Sequence, residues 1–191
     1  MLAVNYARKY PQRVAGLILA NSTLHFFSTT FLQNQLTAGY HLLGIDTVLT
    51  PTNRPRLVQA WGQLRQQLSQ RHLAYRLLAD SIGTIARMDS LESSYQRTTD
   101  FGSKLIPPLL DSTLANSYPE YVADYTALTA QIHVPALVIT GTRDYAVGVE
   151  HYKSFRFPQQ QTVILPGSHL LYHENNAAFT RAVCSFVTPA K

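Results

Sequence analysis

Apolar and polar positions along the chain sort into two periods. Pro135-Ala136-Leu137-Val138-Ile139-Thr140 is an unbroken apolar run, the pattern of a parallel strand buried on both faces. Thr162-Val163-Ile164-Leu165 is β-branched and apolar and predicts a second strand. Val14 to Ala20, with Leu17, Ile18 and Leu19 at its centre, predicts a short strand ended by Asn21-Ser22-Thr23. Elsewhere the apolar positions recur at helical spacing. Leu2, Ala3, Tyr6 and Tyr10 share one face of a helix from about Leu2 to Lys9, stopped by Pro11. Leu57, Trp61, Leu64, Leu68, Tyr75, Leu78 and Ile82 predict one long amphipathic helix. Asn53 is its cap, Pro55 lies in its first turn, and Gly62 and Gly83 are its points of interruption. Met88, Leu91 and Tyr95 predict another helix, and Ser117-Tyr118-Pro119-Glu120 has the form of a capping box leading into Tyr121, Tyr125 and Leu128. Between Leu24 and Leu49 the period is mixed, and Gly39 and Gly44 predict two short helices with loops. Val149, Tyr152 and Phe155 predict a helix between the last two strands. Phe179, Val183 and Phe186 predict a final one, capped by Asn175 or Asn176, before a frayed tail at Pro189-Ala190-Lys191.

Strands alternating with helices predict an α/β fold with a parallel sheet of about three strands and flanking helices. About 100 mainly helical residues separate the first strand from the second, far more than a crossover needs. The expected organisation is therefore a partial α/β core at 1–24 and 130–191, with a helical cap at 25–129.

Acid–base chemistry stands just past two of the strands. The Pro135 strand delivers Gly141-Thr142-Arg143-Asp144, and the Thr162 strand delivers Pro166-Gly167-Ser168-His169. Both lie at the carboxyl end of the sheet, where open α/β sheets form their sites. His169 would act as a general base, and Asp144 would hold the imidazole's tautomer and stabilise its positive form. Asp144 also suits a turn or a helix cap, and His169 a hydrogen-bonded loop. His173, four residues on, is the competing base, while His25 and His41 read as partly buried structural residues. Ser22, Ser154 and Ser168 are serines without the strand-to-helix elbow that would expose a nucleophile.

On the Gly141–Asp144 and Gly167–His169 motifs, and on Leu2-Ala3, Tyr6-Ala7, Tyr10-Pro11, Arg13-Val14 and Gly16-Leu17-Ile18-Leu19 near the start, the chain resembles the α/β-hydrolases, within them the proline iminopeptidase-like group. The resemblance covers about residues 1–24 and 130–188. It implies an α/β-hydrolase fold with an inserted lid, a Ser-type hydrolase of small ester or peptide substrates, and Asp144 and His169 as two members of a catalytic triad. In that family a Gly-x-Ser-x-Gly elbow immediately precedes the first of these helices. No Gly-x-Ser-x-Gly occurs in this chain. The expectation is a C-terminal half holding cap, acid and His, inactive alone for want of nucleophile and oxyanion hole. The alternative is a non-catalytic remnant or interaction module that works through its cap surface. Glu92 and Glu120 in the cap are candidates for binding a substrate amine, as acidic cap residues do in aminopeptidases of the group.

Composition trims this picture further. A chain with 46% hydrophobic and 14% charged residues is globular. The net charge of +5 is unevenly placed: Thr47–Ala79 holds Arg54, Arg56, Arg65, Arg71 and Arg76 without an acid, and Asp80–Asp124 is net acidic. A solvated helix face accounts for that basic stretch better than a nucleic-acid surface, which calls for aromatic interleaving. One cysteine, Cys184, permits no internal disulfide and fits a reducing, cytoplasmic setting. No run approaches the roughly 18 apolar residues of a membrane span. Neither a cofactor nor a metal is called for. The strand at Val14–Ala20, flanked by nothing that discourages pairing, is expected to leave an open sheet edge through which the chain self-associates.

Overall fold

The computed structural model describes residues 2–26, 28–46, 52–94 and 123–188. The capping box at Ser117–Glu120, Tyr95, Tyr121, the side chain of Glu92 and the tail at 189–191 lie outside the described residues.

Three parallel strands form the sheet, β1 (Leu17–Ala20), β2 (Ala136–Gly141) and β3 (Gln160–Leu165), in the order β1-β2-β3. Leu17 pairs with Ala136 and Ala20 with Ile139; Ala136 pairs with Gln160 and Gly141 with Leu165. All six residues of β2 are buried, as its unbroken apolar run requires of a strand covered on both faces. Helix α1 (Leu2–Lys9) covers one face: Val4 and Ala7 pack with Leu17, Leu19, Ala136, Val138 and two phenylalanines, Phe155 and Phe157. A C-terminal helix, Asn176–Val187, covers the other with Phe179, Val183 and Phe186 against Leu137 and Ile139. Asn175 holds its N-cap position, as expected, but the side chain makes no cap hydrogen bond and donates instead to the carbonyl of Pro166, 3.0 Å away.

Three expectations need correcting here. The first strand begins at Leu17, because Pro11–Arg13 forms a 3₁₀ turn closed by the Val14 N–H on the Pro11 carbonyl. On α1 the inward stripe is Val4 and Ala7, whereas Leu2 is 89% exposed and Tyr6 46% exposed. The stripe read from Leu2, Tyr6 and Tyr10 exists, but β1 lies beneath the neighbouring one. Between Asp144 and β3 there is a single 3₁₀ turn, His151–Ser154, in place of a helix. Phe155 and Phe157 are both buried, and an i, i+2 pair on one side is an extended pattern that no helix presents.

The described part of the cap is helical, and its leucines form a core that Ala146 and Val147 join. Helices α2 (Thr29–Leu42) and α3 (Arg54–Gln70) meet through Leu32, Leu36, Leu57, Leu64 and Leu68, each at most 1% exposed. Gly39 does not break α2, contrary to the expectation of two short helices. A Cβ there would stand 2.4 Å from Leu64 Cδ2, so the glycine is what lets the two helices approach. The Asn53 side chain caps α3 by accepting from Arg56 N–H at 3.0 Å, with Pro55 in the first turn. The long helix expected through Ile82 ends at Gln70, at neither Gly62 nor Gly83. His72 takes a left-handed φ of 55°, Leu73 N–H bonds the Leu68 carbonyl and His72 N–H that of Ser69. These are the two bonds of a Schellman stop, closed by the packing of Leu73 into the core that holds Leu68. A 3₁₀ turn (Ala74–Leu77) and α4 (Ile82–Ser94), which contains Met88 and Leu91, follow. Tyr125 enters a 3₁₀ segment, Thr126–Gln131, just before β2.

Candidate active site

Asp144 and His169 come together because β2 and β3 are neighbours and end level with each other. Beyond their last pair, Gly141 with Leu165, the two loops stay in register: Thr142 N–H bonds the Leu165 carbonyl and Arg143 N–H that of Gly167. Contact this close is possible only at glycine. A Cβ on Gly141 would meet the carbonyl oxygens of Gly167 and Ser168 at 2.5 Å.

His169 Nδ1 stands 3.0 Å from Asp144 Oδ1 and 3.3 Å from Oδ2. Asp144 is fully buried, and its Oδ1 also accepts from Val147 N–H at 3.3 Å. The His169 side chain keeps 27% of its surface open. A buried carboxylate that accepts a hydrogen bond from Nδ1–H commits the imidazole to one tautomer and leaves Nε2 for a reacting group. His173, by contrast, rests with its ring against Tyr172 in the short helix α5 (Leu171–Glu174).

Four further side chains hold this pair, and the sequence patterns assign this part to none of them. Asn21, just past β1 with φ 45°, accepts from Gly141 N–H at 3.1 Å and donates to the carbonyls of Ser168 (3.2 Å) and His169 (2.5 Å). It ties the ends of all three strands together. Glu174 accepts from Ser168 N–H and from Asp80 N–H, each at 2.7 Å. Asp80 in turn receives a fork from Arg143, through Nε at 2.9 Å and Nη2 at 2.5 Å. The Arg143 hydrogen bond lowers the Asp80 pKa, and the same bond raises that of Arg143. Leu78 completes the clasp: its carbonyl accepts from Ser168 Oγ and from Leu170 N–H. The segment that leads from α3 to α4 is thereby fastened to both site loops. Only Asn21 left a trace in the sequence, as a residue tolerant of left-handed backbone directly after a strand.

A groove of about 490 Å³ opens beside His169, between α1, β1 and the cap. A larger cavity, about 620 Å³, lies between α2 and the 145–154 loop and includes neither Asp144 nor His169. The candidate pair belongs with the groove, which His169 lines. Buried His25 and His151 belong with the larger cavity, and burial holds both imidazoles below the usual histidine range. His41, expected to be partly buried, has a side chain 67% exposed. The serines considered as nucleophiles are all occupied: Ser22 donates to the Ala20 carbonyl, Ser154 to that of His151 and Ser168 to that of Leu78. The arrangement can move a proton and stabilise the resulting imidazolium, but among the described residues no hydroxyl hydrogen-bonds the His169 ring. Among the described residues no group of His, Cys, Asp and Glu converges as a metal site needs, and no helix is long and apolar enough to cross a membrane.

The profile of the alpha/beta hydrolase fold family matches residues 1–176. Among solved structures the chain is similar to MGS-M2, an alpha/beta hydrolase enzyme from a Medee basin deep-sea metagenome library, at 16% identity and a TM-score of 0.54. That match covers 100% of this chain and 62% of the other. It is similar too to the proline iminopeptidase of Mycobacterium smegmatis, at 15% identity and a TM-score of 0.53, over 97% of this chain and 60% of that one. At such identities the likeness is one of fold. The chain thus spans less than two thirds of the length of these structures. No curated protein matches it.

Proposed function

Because the chain belongs to the alpha/beta hydrolase fold family, we propose that it is the acid–base and lid portion of an ester or amide hydrolase, with Asp144 and His169 as its catalytic acid and base. The observation that carries this reading is the 3.0 Å contact between His169 Nδ1 and a fully buried Asp144 at the mouth of a groove. In the reaction His169 Nε2 takes the proton of a nucleophile as that group attacks the substrate carbonyl, and later returns it to the leaving group. Asp144 stays ionised, stabilises the imidazolium and keeps the ring oriented. The nucleophile and the donors for the oxyanion come from a Gly-x-Ser-x-Gly segment that this sequence does not contain. Its place is along β1, where Ile18 lies open on the groove. Residues 25–129 serve as the lid, in the cytoplasmic setting that a single exposed Cys184 suits. Ester or amide hydrolysis is as fine a class as the site supports; the narrower iminopeptidase-like assignment rests on the motifs alone.

Co-expression with a family N-terminal half carrying the elbow tests this. The pair is expected to hydrolyse p-nitrophenyl acetate and to lose that activity when His169 is replaced, while the chain alone neither turns over nor is labelled by a fluorophosphonate. Stoichiometric labelling of a serine in the chain alone would refute the division of labour. A soluble complex without activity would favour the interaction-module reading.

A further inference from the structure

The groove beside His169 has walls of one character and a single exception. Ile18, Leu19, Leu78 and Val147 make it apolar, and its other polar side chains are neutral. Among its described lining residues only Arg65 carries a formal charge. Arg65 stands one helical turn past Trp61 on α3, with its guanidinium carbon 5.3 Å from the indole ring centroid. The indole is itself fixed, since Nε1 donates to Gln35 Oε1 at 3.2 Å. Gln35, only 5% exposed, donates through Nε2 to the carbonyls of Tyr145 and Ala146. A cation on the cap is in this way referenced to the loop that begins at Asp144.

Among the described residues no carboxylate answers that cation. Burial alone lowers the Arg65 pKa, with no acid acting in the other direction. The residue nonetheless keeps an exposed surface, so a solute in the groove can reach it. A guanidinium steadied on an aromatic face, against apolar walls and without a counter-ion among the described residues, is a receptor for a planar anion, which it engages through two parallel hydrogen bonds. In a partly desolvated groove such a bond outweighs a neutral one.

We propose that Arg65 is a specificity residue of this groove and that the substrate carries a carboxylate in addition to the bond that is cut. The inference rests on the hydrolase reading for the identity of the site. It runs against a substrate with a free amine, which Arg65 would repel.

Binding can be measured without turnover, because Trp61 is the chain's one tryptophan and touches Arg65. The full chain at submicromolar concentration is titrated with 4-phenylbutyrate, with its primary amide and with 4-phenylbutylamine while Trp61 emission is followed. The carboxylate is expected to bind about tenfold or more tighter than the amide, and the amine more weakly than either. Arg65→Gln should bring acid and amide to equal affinity, and Arg65→Lys should restore part of the gap. Arg56→Gln, the same charge change at an exposed position on α3, should leave the gap intact. Equal affinities in the unaltered chain, a preference that survives Arg65→Gln, or no saturable change with any probe overturns the inference. Turnover by the complemented protein without acid preference sinks this inference alone. Acid preference without turnover sinks the hydrolase reading alone.

Discussion

The two edges of the sheet are built differently. At β3 the edge opens with Gln160, Gln161 and Thr162, and the Asn176–Val187 helix, here α6, packs on Val163 and Leu165. At β1 the edge is Leu17-Ile18-Leu19-Ala20, without a polar or charged side chain, and Ile18 is 40% exposed. Leu17 and Asn21 N–H groups point to β2, so alternation turns those of Ile18 and Ala20 to the open side. One edge carries the polar residues that blunt further pairing and the other does not. The site lies at the unblunted side: His169 and β1 line one groove, and Asn21 at the end of β1 holds the His169 loop.

The largest effect tests whether the open edge receives a catalytic segment. In the complemented protein His169→Ala should lower kcat by about 10⁴-fold or more, with the melting temperature little changed, whereas His173→Ala should leave most of the rate. The reverse ranking, read from esterase progress curves, would move the base and detach the site from the β1 side.

Association comes next. Alone, the chain is expected to sediment as oligomers, and Ile18→Lys or Ile18→Pro should shift it to monomer without touching the ladder to β2. Ile164→Lys, on the β3 side, should not. A monodisperse, cooperatively melting monomer for the unaltered chain would remove the contrast between the edges.

A stability comparison sharpens the same point. Leu137→Ala, in the strand between the edges, should cost about 2–5 kcal/mol in chemical denaturation. Ile18→Ala should stay within about 1 kcal/mol, since its side chain has little to lose. Equal costs would mean that Ile18 is covered in solution.

The smallest expected effect is in the pH profile. Burial lowers the pKa of His25 and His151 below the ordinary histidine value of 6.5, so the unfolded chain binds those protons first. Stability should therefore be full above that value and fall as the pH drops below it. Asp80, whose pKa is lowered chiefly by the Arg143 hydrogen bond, adds a second decline as the pH falls through its folded value, beneath the ordinary 3.8. His151→Phe should flatten the first decline in thermal melts; an unchanged slope would deny that buried imidazoles set it.

Legibility followed the range of the signal. The buried strand β2, the Asn53 cap and the two residues beyond the strand ends were readable, because periodicity and end signals are properties of a short window. The stop of α3 was not, since a left-handed C-terminal residue is announced by glycine and here it is His72. At Gly44, with φ 75°, the same kind of stop after α2 was readable because the residue is glycine. Gly39 misled for the opposite reason: its purpose is set by Leu64, a residue of another helix.

By itself, then, the sequence determined a parallel α/β core with a helical insertion and placed Asp144 and His169 at the same end of the sheet, because strand direction and strand termini are local facts. The tertiary structure alone decided that the two lie 3.0 Å apart, that α1 turns Val4 rather than Leu2 inward, and that Asn21, Glu174, Asp80 and Arg143 clasp the loops. Asn21 and Ser168 are 147 positions apart. A hydrogen bond between residues so distant leaves no period in either segment, and only the packing of β1 and β3 against β2 brings its two ends within reach.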